Sequence, residues 1–272
     1  MATNDRQPDD QRDAGGFVLL SVLFVVAIVS TLLLAVTVAV RANRANAATE
    51  RRLVQAGALA DAGLVRAMAA LEDGEEPALS TFARSGRWNF AGHEVIVSLV
   101  PEVGKVDVNA GDPALVVNVL RAMVRDGAKA DRIIARLEAM RRTSRYVESI
   151  RGLLDPPDRT GRLARDLEAV FTVWTNVRGV DPRHAPATIL RNLPGLQQGE
   201  ADGLVRASAQ GTHAELSPFL TRFGPLLGAS RPIYRARAEA RVEGVAARRE
   251  ALLAHNAEAR AVSIVMWRDA LE

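Results

Sequence analysis

An uncharged apolar stretch from Phe17 to Val40, near the start of the chain, constrains the fold more than any other feature. Its polar residues are serines and threonines, whose hydroxyls can bond to carbonyls of the preceding helical turn. At about 1.5 Å per residue, a helix over this stretch is roughly 36 Å long, which is enough to cross the ~30 Å hydrocarbon core of a bilayer. The sequence therefore predicts one membrane-spanning helix.

The residues before this stretch do not form an ordinary secretory signal. Such a signal has its small-residue cleavage site after the apolar centre. Here Gly15 and Gly16 precede Phe17, and no A-x-A site follows the apolar run. Cleavage after Gly16 would remove only the polar leader and leave the apolar segment as the mature N-terminus. The alternative interpretation is an uncleaved anchor.

This junction resembles the class III leader of type IV pilins and type II secretion pseudopilins. The resemblance implies that a prepilin peptidase cuts between Gly16 and Phe17 and that the new terminal amine is methylated. These proteins usually carry Glu at the fifth mature position, where this chain has Ser21. Within the superfamily, absence of that Glu is typical of the minor pseudopilin K family of the type II (general) secretion pathway.

The charges that flank the apolar stretch and the family resemblance imply opposite orientations of the chain in the membrane. Arg6 and Arg12 are outnumbered by aspartates before it, and several arginines, starting at Arg41, follow it. Taken alone, the positive-inside rule would place the C-terminal body in the cytoplasm. The resemblance implies the reverse: a single-pass protein of the bacterial inner membrane with its body in the periplasm.

Beyond the membrane stretch, the helical pattern continues to about Leu71. Apolar residues recur at spacings of three and four, which indicates an amphipathic helix that packs on a globular body. A coiled-coil stalk is the alternative, but the stripe is short and rich in Ala. The resemblance assigns the same face to the helices of partner pseudopilins, with Leu53, Ala56, Ala60 and Leu64 as the predicted contacts.

Strand patterns precede and follow a long helical block. A hairpin is predicted from His93–Val100 and Val106–Asn109, and Tyr234–Glu243 alternates strictly between apolar and charged residues. Further strand segments are Ala251–Leu253 and Val262–Trp267. Between them, Asp112-Pro113 opens the first of several helices. The others are predicted at Asp131–Arg141, Tyr146–Leu153, Leu163–Val173, Pro186–Leu193 and Glu200–Ala209.

These patterns predict an α+β fold. A pilin-like long N-terminal helix packs on a small antiparallel sheet, and a large all-α domain is inserted in that sheet. The predicted parts are a leader at 1–16, the transmembrane and amphipathic helix at 17–72, a pilin-like αβ domain at 73–110 plus 228–272, and the inserted domain at 111–227.

Two similar phrases in the chain strengthen the resemblance to the secretion protein K family. VDVNAGDPALVVNVL starts at Val106 and VDPRHAPATILRNLPGL starts at Val180, and each combines Val-Asp with a Pro-Ala helix start. That family carries an I-N-x-N-T-A-P phrase before such helices, although the Thr is missing from both copies here. The other matching positions are Asn109-Ala110, Ala185-Pro186-Ala187, Gly104-Lys105-Val106-Asp107, Ser230 and Tyr234.

A rival hypothesis comes from Leu193-Pro194-Gly195-Leu196, which resembles the turn of a helix-hairpin-helix module that binds DNA phosphates. The amides at the second helix N-terminus would have to be free. In that module a second Gly usually follows two residues after the first one, which here is Gly195. This chain has Gln197 at that position. Glu200 occupies the position at which the phosphate would bind. The alternative function is therefore a membrane-anchored DNA-binding protein of an uptake system, and a structural hairpin is favoured over it.

No catalytic motif stands out, so we expect no enzyme. The four histidines have no common spacing, cysteine is absent, and the formal net charge of +3 is not a strong basic field. No cofactor is expected. The resemblance allows calcium without identifying its ligands; Asp155 and Asp158 offer carboxylates, but a solvated turn is the favoured reading of that loop.

The resemblance implies a structural role. We expect a minor pseudopilin at the tip of the type II secretion pseudopilus, which nucleates assembly for export of folded proteins across the outer membrane. Its expected partners are other minor pseudopilins in a tip heterotrimer, the major pseudopilin and the prepilin peptidase, with no nucleic acid.

Overall fold

One helix, α1, runs from Asp10 to Asp73 and forms the axis of the molecule. The structure is a computed structural model that describes residues 10–73, 86–210, 213–228, 232–256 and 259–270, with backbone alone at 10–18, 198 and 213. The hydroxyls of Thr31 and Thr37 donate to carbonyls one turn earlier at 2.7–2.8 Å, so they remain satisfied without water. The helix is described through Asp73, and its predicted end at Gly74 lies outside the described residues.

The remaining elements follow α1 in chain order. The strands are β1 (Gly86–Phe90), β2 (His93–Pro101), β3 (Val106–Asp107), β4 (Phe171–Thr172), β5 (Ile233–Val242), β6 (Val245–Asn256) and β7 (Ala261–Asp269). The helices are α2 (Pro113–Met123), α3 (Gly127–Arg142), α4 (Arg162–Val170), α5 (Ala187–Arg191), α6 (Gln198–Gln210) and α7 (His213–Phe223). Short 3₁₀ turns lie at Ile150–Leu153 and Pro156–Asp158.

Five strands form an antiparallel sheet in the order β1-β2-β5-β6-β7. The β5–β6 hairpin turns at Glu243 and Gly244, which have φ of 46° and 87°. Two successive positive φ angles match the twist of the flanking strands, and Gly accepts the second at little cost. In the chain, β2 precedes the helical block and β5 follows it. The central strands of the sheet thus come from both sides of that block.

The second half of α1 packs on one face of this sheet through small side chains. A Cβ added at Gly63 would come within 2.8 Å of Val95 Cγ1 and 3.0 Å of Ala238 Cβ, so helix and sheet approach closely at this point. Alanines on both surfaces allow the same approach elsewhere. The buried residues of this core include Ala56, Leu59, Ala60, Leu64, Ala67, Leu71, Val97, Leu99, Ala236, Ala240 and Leu253.

The helical block between β2 and β5 has a core of its own. Asp112 caps α2 by accepting from Ala114 N at 3.0 Å and Leu115 N at 3.2 Å, as the Asp-Pro pair predicts. The core begins at Val106 and includes Leu115, Leu120, Ile134, Leu167, Phe171, Ile189, Leu204 and Leu227.

Two local predictions within this region are wrong. Val106-Asp107 does not return along β2 as a hairpin; it pairs in parallel with β4. The reason is burial: Val106 and Val108 both belong to the core of the helical block rather than to the sheet. Tyr146–Leu153 is not an α-helix, since only the 3₁₀ turn at its end forms. The sequence patterns also missed β1 and α7.

The predicted fold class is confirmed. A long N-terminal helix lies on an antiparallel sheet, and a mainly helical domain is inserted between strands of that sheet. The parallel β3–β4 pair is a small addition to that domain.

Candidate functional site

The first half of α1 is exposed and apolar, and it is the only helix in the described parts of the chain that is long and apolar enough to cross a membrane. Its apolar window has a mean hydropathy of 2.9, and none of it is buried. Exposed side chains such as Leu20, Phe24 and Leu34 need an apolar environment that the described residues do not provide. This half of α1 is a single-pass membrane anchor.

The predicted cleavage junction and the substituted Glu position both lie on this half of α1. Gly16 and Phe17 are within the helical backbone, where the structure does not describe side chains. Ser21 lies on the exposed surface of the anchor. Cleavage, methylation and the role of Ser21 stay predictions.

The predicted partner-helix face is wrong for three of its four residues. Ala56, Ala60 and Leu64 are each 0% exposed, because they form the core between α1 and the sheet. Leu53 alone is exposed, at 51%. The spacing that identified the stripe was correct, but an amphipathic stripe indicates burial and does not say which surface covers it.

A different surface of α1 is open to a partner. Val54 is 73% exposed and Val65 is 57% exposed, and their spacing of eleven residues places them on the same side of α1, away from the sheet. We call these two residues the outward surface. Sequence periodicity could have found it as a second, weaker apolar stripe.

Polar contacts fix the orientation of α1 on the sheet. Asp61 Oδ1 accepts from Arg249 Nε at 3.1 Å and from Trp267 Nε1 at 3.3 Å, which joins the helix to β6 and β7. Arg249 also pairs with Asp269. Because the Asp61–Arg249 bond is charge-assisted and the Arg249 side chain is only 24% exposed, these contacts favour one rotation of α1 and therefore determine which residues form the outward surface.

A buried charge network joins the sheet to the start of the inserted domain. Glu102 is 0% exposed, and its Oε1 accepts from Lys105 Nζ at 2.7 Å and from Arg235 Nε at 2.8 Å. Arg235 also donates to Glu250 Oε1 at 2.9 Å, and Arg237 donates to Glu250 Oε2 at 2.7 Å. Among the described residues, Oε2 of Glu102 has no hydrogen-bond partner.

The pKa values in this network reflect burial opposed by ion pairing. Burial is the largest influence on the Glu102 carboxyl and would raise its pKa, but Arg235 and Lys105 together hold the pKa below its ordinary value. Burial lowers the pKa of Lys105 despite its contact with Glu102. For Glu250 too, the neighbouring arginines outweigh burial and lower the pKa. The carboxylates are therefore held in the charged form.

The two similar Val-Asp phrases form the same kind of turn, and the second phrase contacts the residues just before the first. Asp107 Oδ1 accepts from the amide of Asn109 at 2.8 Å, and Asp181 Oδ1 accepts from that of Arg183 at 3.0 Å. A Cβ at Gly104, two residues before the first phrase, would lie 2.2 Å from the carbonyl oxygen of His184 in the second, so only Gly fits at this contact. Both aspartates therefore have structural roles at the base of the inserted domain.

The candidate phosphate-binding hairpin is closed by the chain's own groups. Gly195 has a φ of +79°, as the tight turn requires. Glu200 Oε2 accepts from the amide of Gln197 at 3.0 Å, and Arg222 pairs with Glu200 and donates to the Gly195 carbonyl at 3.2 Å. A carboxylate thus lies at the helix N-terminus where a phosphate would bind. This geometry favours the structural hairpin.

The histidines whose side chains are described lie apart. His184 Nδ1 lies 3.0 Å from Asp181 Oδ2, and His93 Nε2 lies 3.3 Å from Gln55 Nε2. The described residues contain no cluster of three His, Asp or Glu side chains that could hold a metal ion. We find no catalytic arrangement in the part of the chain that the structure describes.

The two carboxylates considered for calcium face separate cations. Asp155 Oδ1 pairs with Arg136 at 2.9 Å, and this bond lowers the pKa of the Asp155 carboxyl. Asp158 pairs with Lys129 at 2.8 Å. A cation would have to displace both partners. The pair therefore resembles a structural turn rather than a ligand set, and calcium binding elsewhere stays a prediction.

The sequence matches no protein-family model and no curated protein. The structure is similar to a chain in the crystal structure of the GspK-GspI-GspJ complex from the type 2 secretion system of enterotoxigenic Escherichia coli. The match covers 85% of this chain and 99% of that chain, with 13% sequence identity and a TM-score of 0.49. At this level the similarity carries no argument about function.

Proposed function

We propose that this chain is a minor pseudopilin that occupies the tip of a type II secretion pseudopilus. The observation that carries the proposal is the division of α1 into an exposed apolar half and a half covered by an antiparallel sheet. A helix of this kind anchors a subunit before assembly and provides an axis around which subunit helices can pack.

The inserted domain supports a position at the end of a filament. It has an independent core and enlarges the body well beyond the helix and sheet. A subunit with such an insertion would clash with subunits above and below it in a thin shaft. At the tip there is no subunit above it.

Ser21 supports the same position. In a filament of this kind, a carboxylate at the fifth mature position is expected to pair with the terminal amine of the subunit ahead, because an unpaired charge in a bilayer is costly. A serine hydroxyl carries no charge to fill that role. This chain would therefore accept following subunits and would not itself follow one.

The outward surface is the proposed contact for the helices of two smaller minor pseudopilins. Val54 and Val65 are exposed, while the alanine stripe is occupied by the sheet. Burying exposed apolar side chains of this size stabilises a helix contact by about 1.5–3 kcal/mol each. The body would lie in the periplasm, and the prepilin peptidase would process Gly16–Phe17 on the cytoplasmic face.

Cross-linking in assembled filaments tests this proposal. The chain has no cysteine, so Val54→Cys and Val65→Cys each introduce a unique site. We expect cross-links to other minor pseudopilins and label at one end of each filament. Repetition of this subunit along the shaft would rule out the tip position.

Charge substitutions separate the assembly surface from the core. Val54→Glu should lower complex formation and secretion while the body remains folded. Tyr146, which is 75% exposed on the inserted domain, provides the matched control through Tyr146→Glu. Ala60→Glu should unfold the helix–sheet unit, because it buries an unpaired carboxylate. Equal secretion defects in the Val54 and Tyr146 variants would exclude the outward surface as the contact.

A further inference from the structure

A group of arginines follows the membrane anchor directly. Arg41 and Arg44 come just after Val40, and Arg51 and Arg52 come two turns later. Glu50 is the only acidic residue between Arg41 and Arg52, so this short segment carries a net charge of +3. The charge is concentrated at one end of the apolar half of α1.

The four arginines lie on one side of the helix. With 3.6 residues per turn, each residue advances by about 100°, so the four positions fall within an arc of roughly 100°. Glu50 lies about 150° from the centre of that arc, on the opposite side of α1. We call Arg41, Arg44, Arg51 and Arg52 the arginine face.

Most of the arginine face is unpaired. Arg41, Arg44 and Arg51 are exposed, and the described residues offer them no hydrogen bond or ion pair. Arg52 pairs with Glu243 at 2.6 Å, but both side chains remain well exposed, at 40% and 68%. Exposed pairs of this kind contribute little to stability, which leaves the whole face available to an external anion.

The length of the apolar stretch places Arg41 and Arg44 of the arginine face beside lipid headgroups. Phe17–Val40 is about 36 Å long and can fill the ~30 Å hydrocarbon core with a modest tilt. Arg41 and Arg44 then lie within about 6 Å of the end of the apolar stretch, inside the headgroup layer. Arg51 and Arg52 lie about 16–18 Å beyond the apolar stretch, where salt largely screens their attraction to the membrane surface.

We propose that Arg41 and Arg44, the membrane-proximal half of the arginine face, bind the phosphate groups of anionic phospholipids where α1 leaves the bilayer. The planar guanidinium group donates two parallel hydrogen bonds to a phosphate, and an anionic membrane surface attracts each basic side chain near it. Binding fixes the height and rotation of α1 before assembly. The body of the protein is thereby held at a defined distance from the membrane.

This inference rests on the membrane anchor and not on a role in secretion. It holds in either orientation, because both leaflets of a membrane can contain anionic lipid. The charge complementarity favours lipid phosphate over an acidic protein segment, since Arg41 and Arg44 reach the headgroup layer as soon as the apolar stretch ends.

Electron paramagnetic resonance of spin-labelled lipids tests the proposal on the full chain reconstituted in phosphatidylcholine vesicles. The measurement is the association of spin-labelled phosphatidylglycerol with the protein relative to spin-labelled phosphatidylcholine. We expect a preference for phosphatidylglycerol of roughly fivefold, the effect of one basic residue at an anionic surface, and a lower preference at 0.5 M NaCl than at 0.05 M. Inorganic phosphate at equal ionic strength should lower the preference no more than chloride does.

The combined Arg41→Gln and Arg44→Gln variant should lose most of this preference. The matched control is Arg142→Gln with Arg145→Gln, which removes the same charge from exposed positions of the inserted domain. That control should behave like the unchanged protein. Equal association of the two lipids with the unchanged protein would overturn the proposal. An unaltered preference in the Arg41 and Arg44 variant, or an equal loss in the control, would also overturn it.

Discussion

The buried network around Glu102 gives the sharpest test of how the inserted domain is joined to the sheet. Lys105→Met keeps a long side chain in a site where only 10% of the lysine side chain is exposed. It removes the 2.7 Å bond from Lys105 Nζ to Glu102 Oε1 and leaves Arg235 as the cation beside that carboxylate.

We expect this substitution to lower the free energy of unfolding by about 3 kcal/mol. Removing one member of a buried ion pair typically costs about 3–5 kcal/mol, and the remaining bond from Arg235 places the loss at the lower end. The substitution also removes the free-energy cost of burying the Lys105 ammonium group, which partly offsets the loss of stability. Glu102 keeps its bond from Arg235 in this variant, so adding Glu102→Gln removes a second buried ion pair and the double variant should be less stable than Lys105→Met alone.

Urea unfolding of the full chain in detergent, followed by tryptophan fluorescence, measures these differences. Trp88 and Trp267 lie in the sheet and Trp174 lies in the inserted domain, so the signal reports on both parts. A loss of 3 kcal/mol corresponds to a midpoint shift of roughly 1 M urea.

The only other lysine provides the matched control. Lys129 pairs with Asp158 at 2.8 Å, but the two side chains remain 28% and 27% exposed. Lys129→Met should therefore cost about 1 kcal/mol or less. Similar midpoint shifts for the two Lys→Met variants, or a double variant more stable than Lys105→Met, would refute the reasoning about burial.

The remaining predictions concern pH, processing and DNA. The pKa values of Glu102 and Glu250 are lowered in the folded protein, so their stabilising effect is complete above the unfolded value near 4.3 and is lost as pH falls through the folded values. Unfolding midpoints should thus fall steeply below about pH 4.3, and a flat profile down to pH 3 would contradict this. N-terminal sequencing should find Phe17 first in the mature protein, and Gly16→Glu should retain the leader; an intact leader in membranes with active prepilin peptidase would refute cleavage. The full chain should not retard duplex DNA at physiological salt, because Glu200 occupies the anion position; submicromolar, salt-sensitive binding would restore the DNA-uptake hypothesis.

Much of the fold follows from local sequence patterns. The uncharged run to Val40 predicts the membrane helix because every backbone group in a bilayer must be paired internally. Strict alternation from Tyr234 predicts β5, because one face of that strand is apolar and the other charged. Asp112 before Pro113 marks the start of α2, since a cap and a fixed φ act within a few residues.

Local patterns do not state what covers an apolar surface. The stripe containing Ala56 and Ala60 has the same spacing whether a partner helix or the chain's own sheet packs on it, and the structure shows the sheet. Val106 and Val108 likewise fit a hairpin strand, yet they enter the core of the inserted domain and pair with β4. These outcomes depend on contacts between residues far apart in the chain.

The sequence alone therefore determines the membrane anchor, the arginines that follow it and the division into strands and inserted helices. Only the tertiary structure decides that the alanine stripe is buried, that the outward surface is open, and that Glu102 meets Lys105 and Arg235 at the junction. The physical reason is the range of the interactions. Helix formation and membrane partitioning depend on neighbouring residues, whereas burial and ion pairing depend on which distant segments meet in space.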